Sequence, residues 1–379
     1  MADPLTDTLA LTEAHCHVSR GFEATGEWAL HYPATNRLKF TAAVEGTCWI
    51  DFDDELATGR IELEPGDVVL FDGRHEFVKG NSDAVPVEDA VAAFGATDGP
   101  IARFGSGTLT GEGPRVVGVG GHVSLNRTGE ELLMRALPPV IHLRATDEQS
   151  STFHWLLNRL LHEATTSELG ASLAADDVAH LLFLEALRAC LAQAEDLPVG
   201  WLRAIADERI APALRLMHDE PGRAWQLDEL ARAAAMSRTT FAERFRSVAG
   251  VPPLTYLLNW RMRLAERALR DDDQSLSALA HSLGYTSDSA FSNAFKRVNG
   301  VAPRRFREAA RATRVAPEVD EATAEASRRR GRRSSRTSAA CPRPSPRGTR
   351  PSSGARPTRS GSSRRGPRQR RRAGRRRPG

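Results

Sequence analysis

A helical unit of about fifty residues occurs twice between positions 227 and 303, and this duplication constrains the fold more than any other feature of the chain. Residues 227–231 recur as residues 276–280 at an offset of 49, and residues 241–253 recur as residues 291–303 at an offset of 50. The matched positions are Phe241, Phe245, Val248, Gly250, Val251 and Pro253 in the first copy, and Phe291, Phe295, Val298, Gly300, Val301 and Pro303 in the second. The two copies therefore differ by one residue in the segment between the matched blocks.

Each copy is predicted to fold as two helices joined by a tight turn, which is the spacing of a helix-turn-helix. In the first copy the predicted elements are a helix over residues 227–234, a turn and N-cap at Met236 and Ser237, and a helix over residues 238–248. In the second copy they are a helix over residues 276–283, a turn through Gly284 and Tyr285, and a helix starting near Ser287. Between the copies, apolar residues recur at helical spacing over residues 254–270. One continuous helix, about 25 Å long at 1.5 Å per residue, should therefore join them.

The second helix of each copy has an apolar face and a polar face. Phe241, Phe245 and Val248 should anchor the first of these helices, and Phe291, Phe295 and Val298 the second. The opposite faces and N-termini carry Ser237, Arg238, Thr239, Ala242, Glu243 and Arg246 in the first copy, and Ser287, Ser289, Ala290, Asn293, Lys296 and Arg297 in the second. Small, polar and basic side chains are what a helix needs to contact base edges and phosphates, so these twelve residues are the predicted DNA contacts.

The paired units resemble the DNA-binding domain of the AraC-type transcriptional regulators. The similar segments are residues 236–245, 256–262, 283–291, 295–297, 300–303 and 306–307. The resemblance implies a double helix-turn-helix domain over residues 205–311, double-stranded promoter DNA and RNA polymerase as partners, and a homodimer. Whether transcription is raised or lowered stays open.

Two positions depart from the pattern of one subgroup of this family, whose members usually carry arginine where Glu243 stands and commonly carry it where Asn293 stands. Each change removes a guanidinium that would contact guanine or phosphate. A lower affinity or a different base preference is therefore expected. Glu243 could instead accept a hydrogen bond from cytosine N4.

The charge is distributed unevenly along the chain. Residues 1–204 contain 14 basic and 31 acidic side chains (14 − 31 = −17), whereas residues 205–311 contain 17 and 13 (17 − 13 = +4). Residues 328–379 contain 20 arginines and no acidic residue. Because a phosphate polymer is repelled by the first segment and attracted by the second, the specific nucleic-acid face is expected in residues 205–311.

Residues 1–145 have the pattern of an antiparallel β domain. Short apolar runs at residues 47–52 and 67–71 are separated by turn residues, with a hairpin corner at residues 64–67. Strands resume at residues 115–119, after a predicted loop region over residues 82–114. Residues 3–202 resemble, more weakly, the cupin-type sensor domain of one subgroup of AraC-type regulators. The resemblance implies a cupin-like β-barrel that binds a small-molecule effector.

Candidate ligand-binding residues in this domain are its aromatic side chains and one histidine: Trp28, Phe40, Trp49, Phe71 and His75. Core packing is the favoured account of each of these residues. The effector itself is not identified, and a domain that serves dimerisation alone is an open alternative. Two amphipathic helices around residues 153–164 and 176–194 follow, within a predicted dimerisation and linker region over residues 146–204. Their apolar faces either pack against the β domain or form a dimer seam.

A metal-dependent cupin enzyme with an accessory DNA-binding domain is the main alternative function. His15, His17 and His75 are candidate metal ligands, but Leu9 stands where the enzyme pattern has glycine, and no glutamate has the required spacing after His17. The favoured interpretation therefore includes no metal, no cofactor, no catalytic residue and no enzyme activity. An edge-strand or surface position is the simpler account of the His-x-His pair.

The remaining features bear on compartment and on the C-terminal segment. No signal peptide and no apolar stretch long enough for a membrane span occurs, and the four cysteines lack Cys-x-x-Cys spacing, so a cytoplasmic protein without membrane contact is expected.

Residues 312–379 are predicted to form a disordered tail. The tail either acts as a nonspecific nucleic-acid arm or is a frame-shifted sequence. A general nucleic-acid coating protein driven by the tail is a further alternative.

Overall fold

The computed structural model describes residues 3–52, 59–97, 99, 101–145, 150–193, 197–272 and 274–315. The predicted tail over residues 312–379 lies outside the described residues from residue 316 onward, and residues 312–315 end the last described helix. No helix built from the described residues combines the length and apolar composition needed to cross a membrane.

The N-terminal part of the chain folds into two sheets with short helices. In chain order its elements are α1 (Pro4–Thr12), β1 (His15–Val18), β2 (Gly21–Thr25), β3 (Ala29–Tyr32), β4 (Leu38–Glu45), β5 (Cys48–Phe52), β6 (Arg60–Leu63), β7 (Val68–Phe71), β8 (Phe77–Gly80), β9 (Glu88–Asp89), α2 (Ala90–Gly95), β10 (Ile101–Phe104), β11 (Arg115–Ser124), α3 (Arg127–Ala136) and β12 (Val140–Leu143). One sheet has the order β10-β2-β11-β4-β7-β12, with β1 paired to β11 beside this path. The other sheet has the order β6-β5-β8-β3-β9.

The cupin-like β architecture is confirmed, but the strands of the described residues form two sheets instead of a closed antiparallel barrel. The parallel pairs β10–β2 and β3–β9 add strands to the sheet edges. Both of these added strands come from residues 82–114. The prediction that this region is a loop is therefore wrong. Its elements are two to six residues long, too short to give a periodic sequence signal.

Apolar side chains fill both faces of the seven-stranded sheet. Along β7, Val68 and Leu70 pack toward the helices, whereas Val69 and Phe71 pack toward the five-stranded sheet. The helical side is covered by α1, α3, α4 (Ser150–Thr165) and α5 (Ala171–Ala192). The predicted amphipathic helices are thus present, and one face of α5 packs on the β domain. Leu181 on the same helix is 49% exposed.

The C-terminal part is helical, and it contains two small cores. Its elements are α6 (Trp201–Ala206), α7 (Ala211–Asp219), α8 (Leu227–Ala233), α9 (Arg238–Ala249), α10 (Pro253–Asp271), α11 (Leu276–Ser282), α12 (Asp288–Asn299) and α13 (Pro303–Val315). The first core surrounds Phe241 and Phe245, and the second surrounds Phe291 and Phe295. Helix α10 contributes to both cores, so the predicted linking helix and both predicted helix pairs are confirmed.

Candidate nucleic-acid interface and ligand cavity

The second helix of each pair is fixed by its phenylalanines. Phe241, Phe245, Phe291 and Phe295 are all fully buried, as predicted. Val298 differs, because its side chain is 39% exposed, whereas the equivalent Val248 is buried. The prediction that Val298 is an anchor is therefore wrong. Ala294, one turn earlier on α12, lies in the second core instead.

Helices α9 and α12, the second helix of each pair and here called the reading helices, both begin at a serine cap. The Ser237 hydroxyl accepts a hydrogen bond from the Thr240 amide, and the Ser287 hydroxyl accepts one from the Ala290 amide, each at 3.2 Å. Such caps satisfy backbone donors at the helix start and fix where the helix begins. The residues predicted to contact DNA lie on the faces opposite the phenylalanines. All are exposed except Ala242, which is half-buried.

The cations on these faces differ in how they are paired. Arg246, Lys296 and Arg297 are exposed, and none of them forms an ion pair with a described residue. Arg238 lies 3.7 Å from Asp228, and both side chains remain mostly in solvent. Arg244, by contrast, is bound 2.7 Å from the buried Asp207 carboxylate and therefore holds α9 against the segment before α7. The unpaired cations are the ones available to phosphates.

The turns of the two copies share their geometry but not their residue. Ala235 and Gly284 both have positive φ, at 52° and 80°. The following amides, of Met236 and Tyr285, each donate a 2.9 Å hydrogen bond back to the preceding helix, at the carbonyls of Ala231 and Ala280. The first copy thus holds an alanine where glycine is the favoured residue.

A loop before α8 ties the two copies together, and sequence reasoning missed it. Gly222 in this loop lies against the backbone of Gly284, so closely that a Cβ atom on either glycine would overlap the other segment. Arg261 on α10 donates from Nη2 to the Arg223 carbonyl oxygen at 2.7 Å and also donates to that of Pro221. These loop contacts therefore hold the first helix pair against the turn of the second pair, in addition to the connection through helix α10.

The predicted ligand-binding residues are not brought together. Phe40 and Phe71 line a cavity of about 290 Å³ between the two sheets. Trp49 lines a different, more polar cleft, where the Arg60 guanidinium lies 3.9 Å from its ring centre. Trp28 is buried against Phe22, and the half-buried His75 is not among the residues lining either space. The ligand assignment of these five residues stays a prediction.

The His-x-His segment forms strand β1, earlier in the chain than the first strand that the sequence predicted. His17 contacts the Ser124 hydroxyl at 3.0 Å, and the His15 ring contacts the Glu13 carbonyl oxygen at 2.7 Å. Cys16, between the two histidines, points into the core, and burial raises the pKa of its thiol to about 12. Within the described ranges, no group of three or more histidine, cysteine, aspartate or glutamate side chains is placed to hold a metal ion.

Comparison with known proteins gives two matching family models. A cupin model matches residues 3–192, and a helix-turn-helix domain model matches residues 230–309. An AraC-like transcription regulator of Streptomyces lividans is 37% identical over 308 residues, which cover 80% of this chain and 98% of the relative. One from Streptomyces antibioticus is 38% identical over 307 residues, with the same coverage. Among solved structures, the DNA-binding domain of AdpA in complex with a target DNA is 33% identical, covers 28% of this chain and 97% of that chain, and has a TM-score of 0.28.

Proposed function

The chain belongs to the family of AraC-like transcription regulators, and from this premise we propose that α9 and α12 are its two reading helices, each entering the major groove of promoter DNA. The observation that carries the proposal is the pair of phenylalanine-anchored helices whose opposite faces are exposed, capped and rich in small, polar and basic side chains. A helix in the major groove reads base edges through such residues.

The spacing of the two helices supports their use on one DNA molecule. Helix α10 has 19 residues, which gives about 28 Å at 1.5 Å per residue. Successive major-groove segments on one face of the duplex lie roughly 34 Å apart. The contacts of Gly222 and Arg261 hold the two helix pairs as one body, so the DNA is expected to bend toward the protein.

The test is selection of bound fragments from a random duplex library by the full chain, followed by affinity measurements on selected and scrambled duplexes. We expect a selected sequence with two conserved segments about one helical turn apart, bound at least about a thousandfold more tightly than scrambled DNA. Equal affinity for every duplex would contradict the proposal and favour a general coating protein.

Phosphate contacts by α9 and α12 predict a specific effect of removing their cations. Arg246→Ala and Lys296→Ala should each weaken binding to all sequences alike and reduce the slope of log affinity against log salt by about one. Fluorescence anisotropy at several salt concentrations measures both quantities. Arg188→Ala, on α5 of the N-terminal domain, is the matched control and should leave the slope unchanged.

Glu243 on α9 gives a prediction of opposite sign. Its carboxylate is exposed on the reading face, where an acidic group repels phosphate. Glu243→Arg should therefore raise the affinity across a site library and change the preferred bases at the positions nearest α9. An unchanged affinity for the whole library would mean that position 243 does not face DNA.

The remaining elements of the proposal concern the N-terminal domain and the assembly. We propose that this domain binds a small-molecule effector, that the protein acts in the cytoplasm as a homodimer, and that it contacts RNA polymerase, without an enzyme activity of its own. The family membership supports these roles. Sedimentation of the full chain with and without its selected DNA measures the assembly state, and a monomer under both conditions would contradict the homodimer.

The two parts of the molecule are in direct contact, which supports effector control of DNA binding. Helix α1 meets α7 where Asp7 lies 3.3 Å from His218. Helix α3 meets α10 through two polar links, Thr128 with the buried Glu266 at 3.2 Å and Glu131 with Arg263 at 3.0 Å. A ligand that shifts α1 or α3 would therefore also shift α7 or α10, which position the reading helices α9 and α12.

A further inference from the structure

A largely apolar cavity, partly open to solvent, lies between the two sheets of the N-terminal domain. It holds about 290 Å³, near the small end of the range of ligand sites in proteins. The aromatic side chains on its walls include Phe22 and Phe71 from the seven-stranded sheet, Tyr32 and Phe77 from the five-stranded sheet, and Phe94 from α2. A space with these walls fits the body of an apolar molecule.

Lys79 places an amine inside this apolar space. Its residue is 1% exposed, because it stands on β8 two residues after Phe77 and shares the inward face of that strand. Its Nζ donates to the Thr41 hydroxyl at 2.8 Å and lies 4.6 Å from the centre of the Phe22 ring. Burial lowers the pKa of this amine.

Among the described residues, no carboxylate forms an ion pair with Lys79. A buried cation normally has an anionic partner, since burying it alone is costly. Its partners within the described residues are the neutral Thr41 hydroxyl and the Phe22 ring, and neither carries a charge that would balance the amine. A ligand that carries a carboxylate would supply the anionic partner that Lys79 lacks.

Arg20 presents further unused donors to the same space. Its Nη1 donates to the Phe94 carbonyl oxygen at 3.0 Å, but Nε and Nη2 are buried without a hydrogen-bond partner in the structure as described. Lys39 also lines the cavity, and burial lowers its pKa. The wall therefore has three basic side chains and no acidic one, in a segment, residues 1–204, whose net charge is 14 − 31 = −17. Acidic side chains outnumber basic ones in that segment, so its composition alone does not explain a wall whose charged residues are all basic.

We propose that the cavity between the sheets binds a small monocarboxylic acid with an aromatic or short aliphatic body. The carboxylate would accept hydrogen bonds from Lys79 and Arg20, and the body would lie against the phenylalanines. This inference depends on the effector role proposed above for the N-terminal domain, and it names the chemical class of the effector. The apolar walls disfavour free phosphate and sugar phosphates, which carry their own hydration and few apolar atoms.

The test compares acids with neutral molecules of matched shape on the full chain. Isothermal titration is carried out with phenylacetate against phenylacetamide, and with octanoate against octan-1-ol. We expect each acid to bind about tenfold or more tightly than its neutral counterpart, because the buried donors of Lys79 and Arg20 form charge-assisted hydrogen bonds only with the acid. Inorganic phosphate is the third arm and should not bind in the cavity.

Lys79→Met keeps the length of the side chain and removes its amine. This variant should lose the preference for acids over neutral molecules, and Arg20→Gln should reduce it. Arg188→Met removes an exposed cation on α5, away from the cavity, and should bind the acids as the unchanged protein does. The ligand-free Lys79→Met protein should also melt at a higher temperature, because the variant no longer buries an unpaired amine.

Three results would overturn the proposal: no binding of either acid in the millimolar range, equal binding of acids and neutral molecules, or unchanged acid binding by Lys79→Met. A lower melting temperature of ligand-free Lys79→Met would assign the lysine to the fold and count against a ligand role. DNA binding by the same protein samples separates these failures from a failure of the regulator function. Intact sequence-specific binding to DNA would leave that function standing.

Discussion

Replacing Gly284 by alanine is expected to lower the free energy of unfolding of the DNA-binding domain by about 2–4 kcal/mol. The residue has φ of 80°, where any residue with a Cβ atom is strained. In addition, a Cβ atom at this position would overlap the carbonyl oxygen of Gly222. The oxygen belongs to the backbone, and the position of a Cβ atom is fixed by its own backbone, so no side-chain rotation relieves the overlap. Urea unfolding followed by tryptophan fluorescence measures the loss.

The same change should weaken DNA binding beyond its effect on stability. Gly284 lies in the turn before α12, and its contact with Gly222 sets the position of the second reading helix against the first pair. If the two segments separate to admit a methyl group, the helices no longer match the spacing of the two DNA segments. Affinity for the selected duplex should therefore fall at temperatures where the variant is fully folded, while nonspecific binding stays similar.

Ala235→Gly is the matched control, because it occupies the equivalent turn position in the first copy. Alanine there has φ of 52° and is exposed. Replacing it by glycine removes the strain of the left-handed conformation, so the variant should be about 0.5–1 kcal/mol more stable than the unchanged protein. If Gly284→Ala is as stable as the unchanged protein, the close approach of the two backbones in the turn is not needed.

The helical repeats could be predicted from sequence because their determinants are local. Paired phenylalanines four residues apart, serine caps and a glycine after each reading helix each specify structure within one or two turns. The error at Val298 arises because the surroundings of the two copies differ. Helix α6 packs on α9, where Val248 is buried, whereas Val298 on α12 is left 39% exposed.

The β domain was predicted less completely because its pairing is determined by distant segments. Helix α1 buries Thr8 and Thr12 along with Leu5 and Leu11, so its apolar stripe is not visible in the sequence. The parallel pairing of β10 with β2 joins segments about eighty residues apart, which no local pattern specifies. The division into two sheets follows from such pairings.

The ligand cavity shows a related limit. Candidate residues were chosen for being aromatic, which selects Phe40 and Phe71 on the cavity wall but also Trp28 in the core. Lys79 was missed because a lysine in a strand is normally assigned to solvent. The alternation of Phe77, Val78 and Lys79 contained the signal, since it places Lys79 on the same face as a core phenylalanine.

The contact between the two parts of the protein contains one buried histidine that titrates far from its usual range. The His218 side chain is fully buried, stacks on Trp260 at 4.1 Å between ring centres, and lies between α1, α7 and α10. Its Nε2 lies 3.0 Å from the Tyr256 hydroxyl and its Nδ1 lies 3.3 Å from Asp7. A neutral ring satisfies both partners, because one nitrogen accepts from tyrosine and the other donates to the carboxylate.

Acidification should therefore destabilise the protein through His218. Burial lowers the pKa of this imidazole from 6.5 to about 4, against the opposing effect of the nearby Asp3 and Asp219 carboxylates. Below pH 6.5 the unfolded chain binds a proton that the folded chain does not bind until about pH 4. The stabilisation is thus complete above pH 6.5 and is lost as the pH falls, with a total of about 3 kcal/mol and about 2 kcal/mol of it between pH 7 and pH 5.

His218→Gln isolates this contribution, because an amide can donate to Asp7 and accept from Tyr256 without titrating. Urea unfolding at stepped pH should show a smaller loss of stability for this variant than for the unchanged protein, by about 2 kcal/mol between pH 7 and pH 5. His281→Gln, at an exposed position of α11, should behave as the unchanged protein does. Identical pH dependence of the His218→Gln and unchanged proteins would contradict the assignment.

Because His218 joins the N-terminal helix α1 to the helices that position the reading helices, protonation of His218 should also loosen α1 from the DNA-binding domain before that domain unfolds. Hydrogen exchange of the α1 amides at pH 5, compared between the two proteins, measures this release.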